Sequence, residues 1–105
     1  MGLVDKQDEF SGMVALLILF ARSKGYQVTL GDAYRDARVP YGHKNSLHKQ
    51  RLAIDLNLFL DGVYLTTSDD HRELGEHWED MHPDNNWGGR FDDGNHYSLE
   101  HKGVR

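Results

Sequence analysis

The chain has 105 residues, 38% of them hydrophobic and 28% charged, which suits one small domain with a modest core and leaves little room for a second. Its formal net charge of -5 and the lack of any run of Lys and Arg exclude a basic nucleic-acid surface. The absence of Cys excludes disulfides, thiolate zinc sites and a cysteine nucleophile, so any metal site must draw on Asp, Glu and the 7 His.

Residues 8–24 predict a helix. Phe10, Met13, Val14, Leu17 and Phe20 or Ala21 recur at steps of three and four, and Gly25 stands where a C-terminal cap belongs. This helix is read as a core scaffold. The longest apolar run, Met13 to Ala21, is too short to cross a bilayer. Acidic Asp5, Asp8 and Glu9 precede it, which is wrong for a secretory leader. The expectation is a monomeric, soluble protein made in the cytoplasm, without a signal peptide and without membrane insertion.

Tyr26 to Leu30 predicts a short strand, followed by Gly31 to Arg35 and a polar loop over 38–47. Ala53 to Leu60 is the strongest strand signal. Ile54, Leu56, Leu58 and Leu60 alternate with Asp55, Asn57 and Phe59, so one face is apolar and the other begins polar. Asp61-Gly62 predicts a two-residue hairpin turn, with Val63 to Leu65 returning. Thr67 or Ser68 caps a second helix reaching about Asp80, with Leu74, Trp78 and Met81 on one face. His71 and His77 on that helix are read as solvated, beside Glu73, Glu76 and Glu79, and no HExxH pair is present. His82 to Arg90 is read as a loop holding Trp87, which either walls a cleft or fills the core. A last strand is predicted at His96 to Leu99. The whole is an α+β domain over residues 1–105, a small antiparallel sheet with flanking helices.

Asp55 stands out because a carboxylate at the start of an apolar strand costs free energy unless a cation or hydrogen-bond donors meet it. His48 lies just before that strand. Imidazole nitrogen and carboxylate oxygen are ligands that suit zinc, and a catalytic zinc uses three protein ligands and keeps one position open. His96 is the best third candidate, since it opens a strand and has a carboxylate three residues before it. The alternative is that Asp55 caps a turn or pairs with Arg51 or Arg35, and spacing alone leaves both open.

Ser46-Leu47-His48 through Asp55 resembles the S-x-H-x(6)-D motif of the M15 family of zinc peptidases. Trp87 through Tyr97 resembles that family's W and (D/E)-x-x-H segment, and Tyr34-Arg35 its upstream Y-R. The resemblance covers roughly residues 10 to 100. It implies a fold like that of D-Ala-D-Ala peptidases and the hedgehog signalling domain, with Zn2+ held by His48, Asp55 and His96. It also implies Asp93 as the general base, Arg35 as the group that binds the substrate carbonyl, and Ser46 and Trp87 in substrate binding. The implied substrate is the peptidoglycan stem peptide at the cell wall. Asp at the base position resembles the phage endolysins that cut L-alanyl-D-glutamate bonds. The alternatives are a D,D- or L,D-carboxypeptidase of the same family, or a non-catalytic zinc module.

Overall fold

Helix α1 spans Leu3–Ser23 in the computed structural model, which describes residues 2–31 and 50–101. It starts five residues before the predicted point. Nothing between Leu3 and Asp8 breaks a helix, and Asp5 in the first turn suits the positive end of the macrodipole, so the backbone continues where the apolar period is silent. Its C-terminus closes as a Schellman motif. Tyr26 N–H donates to Ala21 O and Gly25 N–H to Arg22 O, both at 3.1 Å, with Gly25 left-handed at φ 93°. Phe10, Val14, Leu17 and Ala21 form its buried face.

Strand β1 (Gln27–Leu30) runs antiparallel to β2 (Ala53–Leu60), with Val28 opposite Leu58 and Leu30 opposite Leu56. Strand β2 covers the predicted residues, and its alternation is real: Ile54, Leu56 and Leu58 are buried, while Asp55, Asn57 and Phe59 are half-buried. Asp61 and Gly62 both have positive φ, 51° and 79°, the signature of the I′ turn that Asp-Gly prefers. Strand β3 (Val63–Tyr64) returns along the end of β2.

A 3-10 turn (Asp69–His71) leads into helix α2 (Arg72–Met81). Of the two candidate caps, Thr67 performs the task. Its Oγ1 accepts from Asp70 N–H at 3.2 Å, and its own N–H donates to Asp70 Oδ2 at 3.1 Å, a reciprocal capping box. Thr67, first through its backbone N–H and then through its side chain, holds the Asp70 carboxyl below its ordinary range.

The predicted loop over 82–90 instead contains a strand, β4 (Asn85–Trp87), and then a 3-10 turn, Gly88–Phe91. Asn-Asn-Trp has neither apolar alternation nor β-branched residues, so no local signal marks it. Pairing with β5 (His96–Leu99) makes it a strand, with Asn85 opposite Leu99 and Trp87 opposite Tyr97. The five strands form one antiparallel sheet in the order β1-β2-β5-β4, with β3 also on β2. The edge of β2 away from β1 is thus shared: β5 takes 53–55 and β3 takes 59–60.

Both helices contribute to one apolar core with the Ile54, Leu56 and Leu58 side of the sheet. Trp78 lies at its centre. Its ring meets Phe10 of α1 and Tyr97 of β5 edge to face, and its Nε1–H is shared between Asn86 O and Ser98 O, each 3.1 Å away. Among the described residues, no helix is long and apolar enough to cross a membrane.

Leu17 has no solvent exposure and sits in the second half of α1. Leu17→Ala is expected to cost about 2–5 kcal/mol by the usual range for leucine truncation in a core. Urea unfolding followed by circular dichroism checks this; a loss below that range would mean that the site collapses around the smaller side chain.

Candidate functional site

The antiparallel register of β2 and β5 sets Asp55 directly opposite His96. Leu56 N–H donates to Asn95 O and Leu99 N–H to Leu52 O, each at 2.9 Å, so those pairs carry the ladder bonds. The 55/96 pair between them is therefore non-hydrogen-bonded, the kind whose Cα atoms approach to about 4.5 Å and whose side chains lie closest. Asp55 Oδ1 and His96 Nδ1 are 3.4 Å apart, with side chains 21% and 17% exposed. That is longer than the roughly 2.7–2.9 Å of a strong charge-assisted hydrogen bond.

On the other side of Asp55, Gly31 extends the β1 register. Its N–H donates to Asp55 O at 2.7 Å, and a Cβ there would stand 3.0 Å from Asp55 Cβ. The carboxylate thus has a bare backbone on one flank and an imidazole on the other.

Asp93 is joined to His96 by a tight turn. His96 N–H donates to Asp93 O at 3.1 Å, which brings the first and last residues of D-x-x-H side by side. Three further contacts pin this turn. Asp93 N–H donates to Gly88 O at 2.9 Å, and Trp87 Nε1–H donates to Gly94 O at 2.7 Å. Gly88 also packs so closely that a Cβ would fall 2.2 Å from Asp93 O and 2.7 Å from His96 Cβ. Beyond it, the Arg90 guanidinium grips Glu79 of α2 through Nε and Nη2, at 3.1 and 2.8 Å, while lying over the Trp87 ring.

The Asp93 side chain is exposed and borders a cleft of about 480 Å³, together with Tyr64, Thr67, Ser68, His71 and Asn95. The cleft opens where β3 and β5 part from the shared edge of β2.

Of the two readings of Trp87, the core is where it lies: it is 1% exposed, and its buried ring supports the turn. One expectation is corrected here. His71 is not solvated: it is 3% exposed, and its Nδ1 lies 2.8 Å from Tyr97 Oη. Burial pushes its pKa from 6.5 down to about 4, so the ring is neutral at pH 7, and burial pushes the Tyr97 hydroxyl up. The missed signal was periodic, since His71 precedes Leu74 by three and Trp78 by seven and so shares their buried face. His77 is half-buried and stacks on Phe20 with centroids 3.7 Å apart.

Arg35, Ser46 and His48, with Tyr34 and His43, lie outside the described residues. Among the described residues, no group of three or more His, Asp or Glu side chains could hold a metal. Asp55 and His96 bring one oxygen and one nitrogen donor together from adjoining strands, a set that suits two of the three protein ligands of a catalytic zinc.

The buried His71 makes stability depend on pH. Its folded pKa lies below its unfolded value, so between pH 6.5 and about 4 the unfolded chain binds more protons. Its contribution is complete above pH 6.5 and is lost as pH falls towards 4. Unfolding free energies measured across that window should fall less steeply for His71→Gln than for the parent; equal slopes would show that His71 does not set the dependence.

Compared with known proteins, the chain matches no family model, no curated protein and no solved structure.

Proposed function

We propose that the protein is a zinc-dependent peptidase that hydrolyses the stem peptide of peptidoglycan at the L-Ala–D-Glu bond, as phage endolysins of the M15 family do. The fold would then be that of the D-Ala-D-Ala peptidases and hedgehog-like domains. The observation that carries the reading is the opposition of Asp55 and His96 across β2 and β5, with Asp93 held beside His96 by its turn. Two residues far apart in sequence, each from a separate motif, meet as that chemistry needs them to.

In this reading His48, Asp55 and His96 hold the ion. Zinc, when bound, lowers the pKa of water and polarises a carbonyl. Asp93 takes a proton from the attacking water and returns it to the departing amine. Its exposure on the rim of the cleft suits that exchange, because a base must reach both water and substrate. Arg35 donates to the carbonyl oxygen as negative charge grows there, a role that fits a fixed, permanently charged fork of donors. Ser46 supports substrate or ligand. The turn that carries Asp93 is backed by buried Trp87 and by the Arg90–Glu79 pair, so the base sits on a rigid element.

Metal analysis after dialysis should find about one zinc per chain, as for a single catalytic site. Asp93→Asn should keep that zinc while hydrolysis of purified peptidoglycan falls about 10²–10⁴-fold, the usual worth of a general base. Asp55→Ala should lose both metal and activity. Full activity in Asp93→Asn, or undiminished cleavage by metal-free protein, would refute the proposal. Mass spectrometry of the products separates the family's activities: intact stem peptides mark the endopeptidase, whereas release of terminal alanine alone marks a carboxypeptidase.

A further inference from the structure

Helix α1 is apolar on two opposite sides. At about 3.6 residues per turn, Phe10, Val14, Leu17 and Ala21 line the buried side. Gly12, Ala15, Leu16 and Leu19 share the opposite side, and all four are exposed, Leu16 by 59% and Leu19 by 63%. The outer side of a surface helix ordinarily carries polar and charged residues. Here the charges sit only at the ends of the stripe: Asp5 and Asp8 near its start, Arg22 near its finish, all exposed. Among the described residues, none of these three belongs to an ion pair within the chain.

We propose that this outer side of α1 is where two copies of the chain pair, helix against helix and antiparallel about a two-fold axis near Ala15 and Leu16. The stripe is complementary to itself in both size and charge, which an isologous contact demands. In that arrangement Leu19 of one copy covers Gly12 of the other, Leu16 lies beside Ala15, and the acidic start meets Arg22. A parallel pairing would set Asp8 against Asp8 and Arg22 against Arg22. Antiparallel pairing also opposes the helix macrodipoles favourably. A basic partner is disfavoured by Arg22, and an anionic membrane by Asp5, Asp8 and the net charge of -5.

A patch one helix long is smaller than the standard interface of about 800 Å² per partner, so pairing is weak and depends on concentration. Asp55 and His96 lie on the face of the sheet turned away from the core that α1 covers, so pairing through the outer side of α1 does not reach them.

The test is sedimentation equilibrium of the full chain over a dilution series. The mass average is expected to rise towards twice the monomer mass with concentration. The Leu16→Glu/Leu19→Glu variant is expected to stay at the monomer mass with unchanged circular dichroism. Asp8→Arg alone and Arg22→Asp alone should each weaken pairing, whereas the chain carrying both changes should recover it. A parent chain that stays monomeric, or that grows past the dimer, overturns the proposal. So does undiminished pairing in the Leu16→Glu/Leu19→Glu variant, failure of the double charge exchange to recover pairing, or binding of the parent to anionic lipid vesicles through these leucines.

Discussion

Everything in this fold depends on the register between β2 and β5. One alignment sets Ile54 opposite Tyr97 on the core side and Asp55 opposite His96 on the other. A slip of one residue would put Tyr97 on the same face as Asp55, either sending the tyrosine outward or carrying the carboxylate into the apolar layer, so core and site specify the same register. The core side enforces it. Tyr97 is buried against Trp78, which also bonds the backbone of both β4 and β5. The meeting of imidazole and carboxylate is thus maintained by apolar packing behind it, independent of any attraction between the two groups.

The turn from Asp93 to His96 follows the same logic at shorter range. A backbone bond closes it, a buried indole holds its middle, and Gly88 lets the next segment press against it. The Arg90–Glu79 pair, exposed to solvent, adds little energy by itself. Its value is positional, since it ties the 3-10 turn after Trp87 to α2 and so to the core.

Much of this architecture is legible in the sequence, and the failures have physical causes. Strand β2 was readable to its end residues because a half-buried strand writes its burial as strict alternation. The β2–β3 turn was readable because Asp-Gly has few other conformational preferences as strong. The start of α1 was not, because helix propensity without apolar period leaves no mark. Strand β4 was invisible because its three residues become a strand only through their partner. At the site, Asp55 was conspicuous as a charge in an apolar run, while nothing local pointed from it to His96. Their pairing is a property of register, which spacing along the chain cannot express. His71 was misread because its polarity outweighed its place on the Leu74 and Trp78 face.

The chain contains two tryptophans, and they occupy different layers of the design. Trp78 is bonded within the central core, whereas Trp87 is bonded to the carbonyl of Gly94 inside the Asp93–His96 turn. Loosening of that turn changes the surroundings of one indole and leaves the other alone; loss of the whole fold changes both. The protein therefore carries two optical probes that tell a local event at the Asp93–His96 turn from global melting. Replacing either ring with phenylalanine would isolate the signal of the other.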